Sequence, residues 1–206
     1  MIEEKNSPAL ITALKKQIAI MFSDKPKQSQ SYGRIINKKH CQRLINYLPN
    51  EKVIAGGDFD SEKKYIAPTI VLNPDAQSLL MQEEIFGPIL PIVIVKNFEH
   101  AIQHIVKNDK PLAAYLFTRN KQQEEAWVNG ISAGSIAIND VMMFNAVADL
   151  PFGGVGASGM GQYNGITGFD NFSHLKSVIK RMFIKEPSLR FAPFSMKKIR
   201  ILKWLR

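Results

Sequence analysis

Cysteine is nearly missing from this chain of 206 residues, which holds one, Cys41. A single thiol excludes an internal disulfide framework and fits a reducing compartment. Long apolar runs are missing too: the longest, around residues 89–95, is far below the roughly 20 residues a membrane-spanning helix needs. Glu3 and Glu4 stand where a secretory signal would be basic, so a cytoplasmic protein is expected. Acidic residues are missing from the end of the chain, where Arg190, Lys197, Lys198, Arg200, Lys203 and Arg206 account for most of the net charge of +9. Outside these six, the chain holds 21 basic and 18 acidic residues. The body is thus nearly balanced and carries no helix-turn-helix, RNP-type or zinc-finger pattern, so no nucleic-acid partner is expected. There is no internal repeat and no low-complexity segment.

With 45% apolar residues, the chain can bury a core of its own. Ser7 and Pro8 form a helix start, followed by Leu10, Ile11, Leu14, Ile18, Met21 and Phe22 at helical spacing. Asn37 is placed to cap a second helix whose apolar side is Cys41, Leu44, Ile45 and Leu48. From Tyr65 the pattern predicts strands near 65–72, 90–95, 112–118 and 134–139, with helices near 98–107 and 119–128. Such alternation implies right-handed crossovers and a mostly parallel sheet covered by helices, the α/β class. The Gly-rich stretch 151–168 reads as irregular, and a last strand is predicted at 174–180, with His174 at its edge.

Two strings carry most of the chemistry. In QEEIFGP, residues 82–88, two carboxylates precede an aromatic, a Gly-Pro turn and a strand. Such a turn can aim Glu84 and Phe86 into a cleft, the carboxylate accepting ribose hydroxyls and the ring lying beside a nicotinamide. On chemistry alone, solvated Glu83 and Glu84 with Phe86 in the core is the simpler reading. In PFGGVGASGMG, residues 151–161, Gly154, Gly156 and Gly159 spell G-x-G-x-x-G. A dinucleotide fingerprint of this form opens a helix directly after a strand and has an acidic residue about 20 positions later. The sequence offers neither, so the phosphate-cradle reading is rejected.

Other reactive side chains read as structural. Lys38, Lys39, His40 and Arg43 make the surroundings of Cys41 basic, which favours a reactive thiolate. However, Cys41 shares the stripe of Leu44, Ile45 and Leu48, and a buried thiol is a common core residue. His100 and His104 have the i, i+4 spacing of a metal pair, but position 101 is alanine rather than the residue a zinc protease needs. No metal site is predicted.

QEEIFGP and PFGGVGASGMG together closely resemble the carboxyl-terminal half of NAD(P)-dependent aldehyde dehydrogenases. The resemblance extends through YGRIINKKH (32–40), GGDFDSEKKYIAPTIV (56–71), AIND (137–140) and GFDNFSHLKSVIKR (168–181). It is nearest to the branch acting on fatty, aryl and coniferyl-type aldehydes. It implies oxidation of an aldehyde to a carboxylic acid with NAD or NADP. Glu84 is similar to the residue that holds the nicotinamide ribose and Phe86 to the aromatic beside it. Phe152 resembles a wall residue of the aldehyde tunnel, and the preceding stretch 142–146, with Met142 and Asn145, is implied to line the same tunnel.

The resemblance also implies what is not here. The family's nucleotide-binding domain, general-base Glu and nucleophilic Cys lie upstream of the point matching Met1, so no catalytic residue is assigned and the cofactor site is incomplete. Residues 1–172 are expected to form a partial catalytic domain and 173–206 an oligomerisation-type strand with a basic tail. The expected partners are an aldehyde substrate and either a second copy of the chain or a complementary amino-terminal half. A non-catalytic interaction subunit or remnant is the alternative. The closing KKIRILKWLR, five cations among Ile199, Ile201, Leu202, Trp204 and Leu205, has the composition of a membrane-surface helix; docking on protein is favoured, with weak membrane-surface contact as a further expectation.

Overall fold

A computed structural model describes residues 1–186 and 188–204, so Leu205 and Arg206 of the basic tail lie outside the described residues. Two compact units result, Met1–Asn171 and Phe172–Arg206.

The first unit opens with a short strand β1 (Ile2–Glu3) and the helix α1 (Ser7–Phe22), which has its proline in the first turn. Pro8 has no amide to leave unpaired there, and its fixed φ suits the helix. The helix is lightly covered: Leu10, Ile11, Leu14, Ile18 and Phe22 are half-buried while Met21 is exposed. Next comes α2 (Lys38–Ile45), capped as the sequence predicts, with the Asn37 side chain accepting from the His40 amide at 2.7 Å.

Three strands follow, β2 (Val53–Ala55), β3 (Phe59–Asp60) and β4 (Tyr65–Ile66), and then β5 (Thr69–Leu72). The strand predicted over 65–72 is therefore two strands with different partners. β4 pairs antiparallel with β3, whereas β5 lies between β2 and the later strand β6 (Ile89–Ile92). Pro68 supplies the break, since it has no amide for a ladder. A short helix α3 (Leu79–Gln82) carries the crossover from β5 to β6, which pair in parallel. The strand predicted at 90–95 also divides, into β6 and β7 (Ile94–Val95), and β7 pairs in parallel with β1.

The α4 helix (Phe98–Val106), β8 (Ala113–Leu116), α5 (Lys121–Gly130) and β9 (Ser135–Ile138) match the predicted order, and β8 and β9 pair in parallel. The fold is α/β, with its strands shared among several small sheets. The α6 helix (Gly165–Asn171) closes the first unit. Two cores result. One packs Cys41, Leu44, Ile45 and Tyr47 of the α2 region on Ile66, Val71, Leu80 and Ile89. The other joins Ala114, Trp127 and Ile131, with Phe98, Ile102 and Ile105 packed against them.

The second unit pairs no strand within the described residues. Residues 174–180 form no strand: an isolated segment gains a ladder only by pairing, and no described strand pairs with it. His174 thus lies in irregular chain. The unit ends in α7 (Met196–Trp204), which places Lys197, Lys198, Arg200 and Lys203 on one short helix. No described helix is long and apolar enough to cross a membrane.

Candidate functional site: a braced loop and an aromatic ladder

The loop joining α3 to β6 holds Glu84 and Phe86. Both side chains are exposed, Phe86 by 78%, which removes the reading that puts this ring in the core. Phe86 also has φ +48°, a left-handed conformation that costs a residue with a bulky side chain on the order of 1–3 kcal/mol and persists only when its surroundings impose it.

The surroundings that impose it come from α2. Arg43 donates from Nη1 to a Glu83 carboxylate oxygen at 3.1 Å and to the Glu84 carbonyl at 3.1 Å, and from Nη2 to the Ile85 carbonyl at 2.8 Å. His40 Nε2 lies 3.0 Å from the Phe86 carbonyl, while Arg43 Nε–H donates to His40 Nδ1 at 3.2 Å. With Nδ1 accepting, Nε2 is the protonated nitrogen that donates to the loop. The Tyr47 hydroxyl donates to the same Glu83 carboxylate and accepts from Arg43. Each residue from 83 to 86 is thus fastened to the α2 region, while the Glu84 carboxylate has no protein partner among the described residues. Beneath the loop, Gly87 sits on Leu44: a Cβ there would come within 2.4 Å of Leu44 Cδ1.

Hydrogen bonds from Tyr47 and then Arg43 hold the Glu83 carboxyl below the usual carboxylate range. A folded value lowered in this way adds stability that is fully present above the unfolded value of about 4.3 and is lost as pH falls through the folded one. The stability difference between the wild-type chain and Glu83→Gln is accordingly expected to shrink on acidification across that window. Denaturation at a series of pH values measures it, and a difference that does not change with pH would remove Glu83 from the brace. Sequence reasoning gave Glu83 no role. The available signal is the polar row His40, Arg43, Tyr47 at i, i+3, i+7, alongside the apolar stripe.

The second candidate group stacks four rings. Tyr115 of β8 lies parallel to Phe144, with centroids 5.9 Å apart and planes at 7°; Phe144 stacks on Phe152 at 5.6 Å and 19°; Phe152 meets the edge of Tyr163 at 5.6 Å. Phe152 and Tyr163 also exchange backbone hydrogen bonds at 2.9 Å in both directions. Met142, with φ +60°, and Asn145 are exposed on the turn that carries Phe144. Phe144 lies inside the predicted stretch 142–146 without being singled out there, and it is the ring that links that stretch to Phe152.

The glycine loop makes no dinucleotide fingerprint. Only a three-residue 3-10 turn, at 156–158, follows its first glycine. Gly154 packs so tightly on its own loop that a Cβ would lie 2.0 Å from the Ser158 carbonyl oxygen. The chain folds back on itself and presents no row of amides at a helix start.

Cys41 is fully buried, and desolvation raises its thiol above the ordinary value, with the Asp60 carboxylate adding to the rise. Burial of that kind disfavours the thiolate a nucleophile needs. Among the described residues no cluster of His, Cys, Asp and Glu could hold a metal ion.

A model of the aldehyde dehydrogenase family matches residues 1–178. The chain belongs to the aldehyde dehydrogenase family. Among curated members, the family 3 member H1 aldehyde dehydrogenase of Arabidopsis thaliana is 43% identical over 203 residues, 97% of this chain and 42% of that protein. The dimeric NADP-preferring aldehyde dehydrogenase of Rattus norvegicus is 45% identical over 177 residues, 86% of this chain and 39% of that protein. Among solved structures, the substrate-bound aldehyde dehydrogenase AldH of Staphylococcus aureus superposes with TM-score 0.88 at 39% identity, covering all of this chain and 45% of that one. An aldehyde dehydrogenase of Mycobacterium tuberculosis in complex with NAD+ gives TM-score 0.74 at 26% identity, over 90% of this chain and 40% of that one. The chain spans less than half the length of these relatives.

Proposed function

We propose that this chain supplies the nicotinamide-ribose wall and part of the aldehyde tunnel of a dehydrogenase that converts an aldehyde to a carboxylic acid with NAD or NADP. The observation that supports this most is the loop at 83–86, whose backbone is fastened to the α2 region while the Glu84 carboxylate and Phe86 ring stay free. Those groups fit half of the cofactor: an unpartnered carboxylate for ribose hydroxyls and a flat ring for the nicotinamide. The bound dinucleotide would accept the hydride released by the aldehyde. Glu84 would orient the ribose, Phe86 would limit where the nicotinamide ring can lie, and the ladder of Phe144 and Phe152 would shield the aldehyde from water.

The catalytic thiol and general base come, in this proposal, from a portion that the chain does not contain, joined to it or supplied as a complementary half. A partner of this kind would cover apolar side chains the chain leaves exposed, including Leu90 and Phe117. Because the rat relative is named as dimeric, a second copy of the completed protein is a further proposed partner.

A chimera tests the reading. In the rat enzyme, the segment of 177 residues that matches this chain is replaced by this sequence, and aldehyde-dependent NADP reduction is followed. The chimera is expected to be active, with Glu84→Gln raising KM for the cofactor and Phe152→Ala raising KM for the aldehyde. A folded chimera in which neither substitution changes either constant contradicts the assignment.

A further inference from the structure

We propose that Arg43 is the positioning residue of the nicotinamide-ribose wall, with His40 as its auxiliary. The proposal rests on the reading of Glu84 and Phe86 as cofactor contacts and adds what sets their direction. Arg43 makes no hydrogen bond to either side chain. It instead binds the carboxylate of Glu83 and the carbonyls of Glu84 and Ile85, and it holds the imidazole that caps the carbonyl of Phe86. Three donors in one rigid plane thus fasten successive residues of a loop that a single point charge could not span.

The geometry separates this from an ordinary surface ion pair. Arg43 reaches across 41 and 42 positions of sequence to two backbone carbonyls, acceptors that no substitution in the loop removes. Its own guanidinium is stacked over the Tyr47 ring at 5.1 Å, and Tyr47 is buried against the core that contains Leu44. The brace is therefore anchored in the packed interior. The loop residue at its far end, Phe86, has the strained φ of +48°. Removing the fork leaves Phe86 free to return to an ordinary backbone conformation, and that swings the ring and the neighbouring Glu84 away from a shared ligand.

The test uses the full chain, isotope-labelled, with nicotinamide mononucleotide as the probe because it is the half of the cofactor these residues would touch. Backbone order parameters and saturation transfer to the nicotinamide protons are measured for wild type, Arg43→Met, Arg43→Lys and His40→Ala. Wild type is expected to show residues 84–87 near the rigid value of about 0.85, and both Arg43 variants to fall below about 0.6 there. Residues 69–72 of the central strand stay unchanged. Probe binding weakens at least about tenfold in Arg43→Met and in Arg43→Lys alike, since an ammonium cannot replace the fork, and millimolar methylguanidinium partly restores it in Arg43→Met.

Arg43→Lys that binds the probe as wild type does, or Arg43→Met that loosens 69–72 as much as 84–87, overturns the positioning role. If Arg43→Met does not fold, His40→Ala decides: order lost at residues 86 and 87 with weakened probe binding supports the role, and no change overturns it. A wild-type chain that gives no transfer overturns the cofactor reading and this assignment with it. Transfer that survives Arg43→Met overturns the assignment alone.

Discussion

The purified chain, mixed with an aldehyde and NAD or NADP, is expected to produce no reduced nicotinamide. Loss of the nucleophile from a covalent enzyme can cost roughly a millionfold in turnover, and the one thiol here is poorly suited to replace it. Cys41 is fully buried among Leu44, Ile45 and Tyr47, and its thiol is shifted away from the thiolate. His40 cannot serve as its base, because the ring nitrogens are engaged with Arg43 and with the Phe86 carbonyl. The absorbance of the reduced cofactor gives the measurement. Turnover that disappears on Cys41→Ser would contradict both the structural role of that thiol and the proposed need for a further portion of protein.

Leu44→Ala should be among the most damaging single substitutions for stability. Leu44 is fully buried in the larger core, and truncating such a leucine removes its transfer energy and leaves a cavity, about 2–5 kcal/mol together. Its position adds a local effect. The side chain supports Gly87 directly beneath the braced loop, so the cavity opens under Glu84 and Phe86. Leu79→Ala is the control, because Leu79 is 55% exposed and a surface truncation usually stays within about 0.5 kcal/mol. Denaturant unfolding compares the two. Equal losses in both variants would mean that the core is not organised around α2 as described.

Much of the fold is legible because it depends on local signals. Asn37 caps α2 and Asn97 caps α4, and the α4, β8, α5, β9 order follows from changes in apolar period that a sequence displays directly. The departures from that reading have different causes. The predicted strand at 65–72 breaks where Pro68 lacks an amide, a signal that was present in the sequence. The segment at 174–180 contains no such break, and the ladder that would make it a strand is not found among the described residues.

The candidate site divides in the same way. Glu84, Phe86 and Phe152 are recognisable from motifs, since each lies in a string with fixed spacing. Glu83 is not, and Phe144 is covered only as one position of the stretch 142–146, because what matters about them is which side chain lies opposite. Glu83 gains its role from Arg43 and Tyr47, 40 and 36 residues away. Phe144 gains its place by lying between Tyr115 and Phe152. The glycines show the converse, a familiar spacing whose geometry, with the Gly154 position closed by Ser158, leaves no cradle for phosphate.

The most direct test of the proposed cofactor wall is a titration of the labelled chain with nicotinamide mononucleotide, followed by the chemical shift of each backbone amide. Saturable changes centred on residues 84–87 are the expected result. Changes centred on the glycine loop at 153–161, with residues 84–87 unmoved, would contradict it.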